Sequence, residues 1–285
     1  MTSSYENLKN HESASELFDL SGKVGVIAGG CGKLGIQFSR VLAKAGARVI
    51  LIDAQPLSNE AAEHVIESLS PSVTSIVCDV TDRDRVRQVF SEIAQDFGGL
   101  DFFISNIMAK PDGYYSSEED YSDHVWREVI DANLTGSFFC CQEAAKLISS
   151  TRIGGSIVLV GSIYGLVAPD QRIYENCTKG GNIYGSEERL SAPPAYSASQ
   201  GALSALAKHL STAWGAKNIR VNSLIPGGIY DHQEPDFHEA YVARTPLERM
   251  AVWSDFNGAI LFLVSGASRY MTGTALVVDG GWTAW

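Results

Sequence analysis

No run of about 18 apolar residues occurs anywhere in the 285 residues, so a membrane-spanning helix is not expected. Basic residues are scarce: 22 Lys and Arg stand against 33 Asp and Glu, a formal net charge of −11. Nucleic acid and anionic membrane surfaces need a basic face to release counterions, so neither is expected as a partner. The five cysteines, Cys31, Cys78, Cys140, Cys141 and Cys177, form no C-x-x-C pair and read as reduced thiols of a cytoplasmic protein. The opening "MTSSYENLKNHESASELFDL" is polar and mixed in charge, without an apolar core of signal-peptide length, so export is not expected. No linker-like composition divides the rest. The expected organisation is a polar extension over residues 1–20 and one domain over 21–285, long enough for a substantial core.

From residue 23 onward, short β-branched apolar runs alternate with longer helical patterns, which predicts βαβ units and a parallel sheet. Strands are expected at 23–29, 47–53, 72–79, 100–106, 155–162, 219–225 and 274–280. Helices are expected at about 34–46, 57–69, 82–97, 121–150, 195–214 and 254–265. This is an α/β fold, a single doubly wound (Rossmann) sheet of seven parallel strands, with its ligand in the crevice at the strand carboxyl ends. Two connections, 163–194 and 226–253, are too long for plain turns, and both follow strand carboxyl ends. Long connections there point to function.

"VIAGGCGKLGIQFSRVLAKAGARVILID" sets Gly29, Gly32 and Gly35 between the first strand and the first helix, with Asp53 closing the second strand. Glycines in that turn let the backbone approach a pyrophosphate, and the helix N-terminus supplies oriented N–H donors. Asp53 is suited to accept from the adenosine ribose hydroxyls and to repel a 2′-phosphate, which favours NAD(H) over NADP(H). Lys33 argues the other way, since a basic residue in the glycine loop suits a phosphate; Ala54 adds no second cation beside Asp53. Asp79, at the end of "VCDVTD", is suited to the adenine amino group with Val80 packed on the ring, or else to capping the helix that starts near residue 82, which Thr81 or Asp82 serves at least as well.

These features, with "SN" at 105–106, "NLTG" at 133–136, "GS" at 161–162, Tyr196, "IRVNSLIPGG" at 219–228 and "MTGTALVVDGG" at 271–281, resemble the short-chain dehydrogenase/reductase family from about residue 20 to the end. The resemblance implies a cofactor held by Gly29, Gly32, Lys33, Leu34, Gly35, Asp53, Asp79, Val80, Asn106, Tyr196, Gln200, Pro226, Gly227 and Ile229. It implies a catalytic group of Asn133, Ser162, Tyr196 and, where the family has lysine, Gln200. Tyr196 exchanges a proton with the substrate oxygen, Ser162 hydrogen-bonds that oxygen, and Asn133 holds a helix kink. Within the family, "GSIYGLVAPDQRIYENC", "RTPLERM" and "VDGGWTAW" look most like oxidoreductases encoded with flagellin-glycosylation and nonulosonic-acid genes. A sugar-derived substrate then meets Ser162, Tyr164, Tyr174 and Tyr196, with Arg244 available to an anionic group and Asn176 and Lys179 in the loop above. The resemblance also implies a homo-oligomer, dimer or tetramer, built through the helices at 121–150 and 195–214 and through a chain end carrying two exposed tryptophans, Trp282 and Trp285.

The pattern is departed from in three places. Gln200 can hold a ribose but carries no charge to lower the tyrosine pKa. The glycine spacing is G-x-x-G-x-x-G, and Ile107 and Met108 stand where small residues are usual and where bulk narrows a cofactor cleft. Three activities stay open: an NAD(H)-dependent interconversion of hydroxyl and keto groups, a weakly or non-catalytic cofactor-binding partner, and an epimerase working through a transient keto intermediate. His232 and His238 lie near Asp231 and Asp236, but their spacing is not that of a metal site.

Overall fold

The computed structural model describes residues 13–57, 60–152, 154–174 and 191–285. A short helix α1 (Ala14–Phe18) lies within the stretch expected to be a polar extension, started by a Ser13/Glu16 capping box. Leu20, at the end of that stretch, is buried, and its N–H donates to the Ala45 carbonyl at 2.9 Å.

The chain then alternates β1 (Val24–Ala28), α2 (Lys33–Lys44), β2 (Arg48–Asp53), α3 (Glu60–Ser68), β3 (Val73–Val77), α4 (Arg83–Phe97) and β4 (Phe102–Ser105). Next come α5 (Asp123–Ile130), a π-helical turn (Asp131–Gly136), α6 (Ser137–Thr151), β5 (Gly155–Val160), α7 (Pro194–Trp214), β6 (Ile219–Pro226), α8 (Pro235–Val242), α9 (Asn257–Val264) and β7 (Ala275–Val278). All seven expected strands form, joined in one parallel sheet in the order β3-β2-β1-β4-β5-β6-β7. Sequence order reverses between β1 and β4, so the crevice beyond their carboxyl ends is where a doubly wound sheet takes its ligand.

Both faces of the sheet are covered, which is why β1 and β4 are buried at every position. On one face Val26, Phe103, Ile157 and Val221 pack against α4, α6 and α7 through Phe90, Cys140, Ala144, Leu203 and Leu210. On the other, Ile27, Phe102, Ile104 and Val158 pack against α2 and α9 through Phe38, Leu42, Ile260 and Leu263. Helix boundaries follow local chemistry. The Asp82 carboxylate accepts from the N–H groups of Asp84 and Arg85 to start α4, Gly98 in the left-handed conformation ends it, and Pro194 opens α7 at its first position.

Three expectations need correction. The helix expected over 121–150 is divided by the π-turn at Asp131–Gly136. The long connection 226–253, where no helix is expected, contains α8. Trp282 is not exposed: its ring stacks on Tyr241 at 4.2 Å between centroids and is 8% accessible, whereas Trp285 is 81% accessible. A ring contact with a partner distant in sequence decides Trp282, and chain-end position alone does not reveal it. Among the described residues, no helix is long and apolar enough to cross a membrane, and no group of three or more His, Cys, Asp or Glu is arranged to hold a metal ion.

Candidate active site

A cleft of ≈ 680 Å³ opens at the carboxyl ends of β1, β4, β5 and β6. Its floor is the glycine turn. Gly29 has φ +70, and a Cβ there would lie 2.4 Å from the Asn106 carbonyl oxygen, so only glycine lets the turn lie against the end of β4. Asn106 fastens the same contact from its side chain, donating from Nδ2 to the Gly29 carbonyl at 3.0 Å. Gly35 does not line the cleft; a Cβ there would meet the Gly29 and Gly30 carbonyls at 2.7 and 2.6 Å, so its place in the motif is to seat α2 under the turn.

At one end the cleft is lined by Asp53, Ala54, Asp79 and Val80. Asp53 Oδ2 accepts from the Cys31 N–H at 3.1 Å, which aims the carboxylate from within the glycine turn. The Cys31 thiol is pushed up to about 11 by burial and by Asp53, so it stays protonated near neutral pH. Asp79 Oδ1 accepts from the Thr81 N–H and hydroxyl at 2.9 and 2.8 Å, while α4 takes Asp82 as its cap. Asp79 is therefore not needed to start that helix.

At the other end Ser162, Tyr196 and Gln200 come together on the cleft wall with Pro226, Gly227 and Ile229. The Ser162 Oγ accepts from the Tyr164 N–H at 3.2 Å, which leaves its O–H available to donate into the cleft. Gln200 is 2% accessible and lines the cleft beside Tyr196. Asn133 sits at the helix kink that the resemblance implies, away from the cleft wall. It lies in the π-turn, wholly buried, with Oδ1 accepting from the Ala109 N–H at 2.8 Å and Nδ2 donating to Ser199 Oγ at 3.2 Å. Ser199 Oγ donates in turn to the Tyr196 carbonyl at 2.9 Å. Asn133 thus positions both the chain after β4 and the start of α7, which carries Tyr196.

The floor beyond these residues is aromatic. Tyr164 and Tyr174 share a hydroxyl–hydroxyl bond of 3.1 Å, Tyr174 leans on Phe237 at 5.3 Å, and Tyr114, Tyr115 and Tyr241 line the same space. Burial, and then the neighbouring Tyr174, push the Tyr164 phenol well above its ordinary pKa, so it remains an uncharged donor. Arg244 is not in this space. Its Nε donates to Asp170 Oδ2 at 2.7 Å and its Nη1 to the Ala240 carbonyl at 3.1 Å, so the guanidinium ties the segment after β5 to α8 and does not face the cleft. Arg172 beside it, and then Arg244, hold the Asp170 carboxyl well below the usual range, which keeps that tie charged. Asn176 and Lys179 lie outside the described residues.

Ile107 and Met108 both line the cleft, where their bulk is expected to narrow it. Ile107 is 8% accessible and joins the core under the sheet, and Met108 lies at the cleft surface with half of its area exposed. Sequence reasoning missed Lys110, Tyr114, Tyr115, Phe237 and Tyr241 on the wall. The signal for Lys110 was its place three residues beyond the end of the cleft-forming "SNI" run, on a turn whose course periodicity does not report.

Comparison with known proteins agrees with this geometry. A family model described as short chain dehydrogenase matches residues 23–187, and one described as Enoyl-(Acyl carrier protein) reductase matches residues 182–283. A sorbose reductase of Candida albicans is 32% identical over 273 residues, covering 94% of this chain and 89% of its own length. An NADH-dependent L-xylulose reductase of Ambrosiozyma monospora is 30% identical, covering 94% of this chain and 97% of its own. A short-chain dehydrogenase of Leptospira borgpetersenii, solved with bound NAD+, superposes with a TM-score of 0.81 at 29% identity, over 96% of this chain and 97% of that one.

Proposed function

Since this chain belongs to the short-chain dehydrogenase/reductase family, we propose that it is an NAD(H)-dependent oxidoreductase interconverting a hydroxyl and a keto group on a sugar or polyol. The observation that carries this reading is the meeting of Ser162, Tyr196 and Gln200 on one wall of the cleft, with Asp53 at its far end. Gln200 is matched to the hydroxyls of a ribose, and Asp53 is matched to a second ribose. Bound there, the dinucleotide supplies or accepts the hydride. In the reducing direction the Tyr196 phenol passes its proton to the substrate carbonyl oxygen, and the Ser162 hydroxyl donates a hydrogen bond to the same oxygen, steadying its growing charge. The aromatic floor with its tyrosine hydroxyls suits a substrate with alternating C–H faces and hydroxyls. Titration of the protein with NADH and NADPH, followed by turnover on ketoses and polyols, tests the reading; binding of neither nucleotide rejects it.

Asp53→Ala removes the carboxylate that disfavours a 2′-phosphate. The affinity ratio of NADH to NADPH is expected to fall by about tenfold or more, the worth of about 1.4 kcal/mol of charge repulsion and lost hydrogen bonding. An unchanged ratio in fluorescence titrations overturns the assignment of Asp53.

Gln200 also favours a second reading, a weakly catalytic or non-catalytic cofactor-binding partner, because no ammonium stands at that position to assist Tyr196. Gln200→Lys distinguishes them. On the enzymatic reading it raises turnover and moves the pH–rate profile to lower pH, since an adjacent cation favours the ionised phenol. Loss of a wild-type activity on this change makes the glutamine a working part of the site.

Within the enzymatic reading, "GSIYGLVAPDQRIYENC" and "RTPLERM" support a narrower proposal, a substrate from nonulosonic-acid or surface-glycan synthesis in the cytoplasm. Surface glycans unaltered by loss of the gene argue against it. Exposed Trp126 on α5 and Trp285 support a homo-oligomer, dimer or tetramer, and a monomeric mass by light scattering counts against that.

A further inference from the structure

Tyr241, on α8, is 3% accessible and lines the cleft with Tyr164, Tyr174, Tyr196 and Phe237. Its ring and its hydroxyl are both fixed. The ring stacks on Trp282 at 4.2 Å and leans on Phe237 at 6.0 Å. The hydroxyl oxygen accepts the Gly228 N–H at 2.6 Å. A Cβ at Gly228 would lie 2.6 Å from Tyr241 Cζ and 2.8 Å from its hydroxyl oxygen, so glycine is what lets the ring lie against the turn after β6. That turn is held from behind: the Ala251 N–H donates to the Gly228 carbonyl and the Gly227 N–H to the Val278 carbonyl, both at 2.9 Å. The Trp282 side is held by Asp279, whose carboxylate accepts the N–H groups of Gly281 and Thr283 at 2.8 Å. A phenol can accept and donate at once, so the bond from Gly228 leaves the Tyr241 O–H to donate. Burial pushes this phenol well above its ordinary pKa, against the Gly228 N–H, with Tyr164, Asp279 and Tyr196 adding to the rise, so it keeps its proton at neutral pH.

We propose that Tyr241 is a specificity-determining residue: its O–H, oriented by the Gly228 N–H and the Trp282 ring, donates to a hydroxyl of the sugar or polyol other than the one that reacts. The inference rests on the sugar or polyol reading given above. It adds a second point of recognition to Ser162 and Tyr196, which act on the reacting oxygen. Tyr164 and Tyr174 use one of their protons on each other, whereas Tyr241 takes a main-chain donor and keeps its own. A donor already held in place loses little freedom when the substrate binds. An analogue without the matching hydroxyl leaves that buried donor unpaired, and the site discriminates against it.

The test is a cycle of substrate and protein changes. Erythrulose, xylulose and fructose are screened, and kcat/KM is measured for the ketose that wild type reduces best and for its mono-deoxy analogues, with wild type and with Tyr241→Phe. Loss of one particular hydroxyl is expected to cost wild type about tenfold. The same loss is expected to cost Tyr241→Phe almost nothing, because the donor which that hydroxyl meets is gone. Gly228→Ala, whose methyl displaces the ring, is expected to erase the same coupling with the phenol still present. Melting curves and NADH titration establish that each variant is folded and takes the cofactor. A wild type indifferent to every deoxy position overturns the proposal, as does a deoxy penalty equal in wild type and Tyr241→Phe; the functional reading stands in both cases. If Tyr241→Phe weakens NADH and leaves every deoxy penalty as it was, the phenol only seats the Gly228 turn and the proposal is again wrong. A wild type that turns over none of these ketoses overturns both.

Discussion

Tyr196→Phe is expected to lower kcat by about 10²–10⁴-fold, the span over which a positioned proton donor contributes. The substitution removes one oxygen and keeps the ring in the first turn of α7, where Tyr196 packs against the Tyr114, Val125, Val129 and Ala195 cluster. The Asn133–Ser199 chain that seats this turn bonds to the Tyr196 main-chain carbonyl, not to its hydroxyl, so it survives the change. Fold and melting temperature are therefore expected to hold while turnover is lost. Steady-state kinetics on whichever ketose or polyol wild type accepts measures this, with NADH titration to show that the cleft is intact. A variant keeping more than about a tenth of wild-type kcat would mean that another group moves the proton.

Gly29→Ala is the second large effect, and it acts through the backbone. The residue stands at φ +70, where a non-glycine residue costs about 1–3 kcal/mol. A methyl group there would come within 2.4 Å of the Asn106 carbonyl oxygen and 3.0 Å of the Ile107 Cα, both main-chain atoms. Neither can move without shifting the end of β4 and the turn that leads to Lys110. The melting temperature is expected to fall by about 2–12 °C, taking about 2–4 °C per kcal/mol for a domain of this size, and NADH affinity is expected to fall with it. Gly32→Ala is the control: at φ −72 the new Cβ meets nothing nearer than the Gly29 carbonyl at 3.8 Å, so stability should be nearly unchanged. Equal melting temperatures for the two variants would show that the turn is looser than its geometry says.

Much of the site is legible in the amino-acid sequence. Ser162, Tyr196 and Gln200 line one wall of the cleft and Asp53 and Asp79 its far end, as their positions at strand carboxyl ends and on one helix turn imply. The resemblance puts a kink at Asn133, but its form as a π-turn is not legible, because "DANLTG" sits inside a pattern that reads as one helix. The extra residue is accommodated where the buried Asn133 side chain turns to the Ala109 N–H and to Ser199, partners that sequence spacing does not identify. Arg244 looks available for an anion because nothing near it in sequence claims it; Asp170, 74 residues away, does. Trp282 looks exposed for the same reason, and Tyr241 covers it.

Sequence alone determined the seven parallel strands, the glycine turn and the order of the motifs. Each of these follows from local rules: alternation, burial on both faces, and the conformations that glycine and proline permit. The tertiary structure alone decided the charges and the partners: Lys33 on Asp231, Lys110 on the same cleft, Asn133 turned away from it, and Gln200 buried beside Tyr196. Those meetings depend on connections from four strands converging at one end of the sheet, and the energy of a charge or a buried amide is set by what stands across that space, not by its neighbours in the chain.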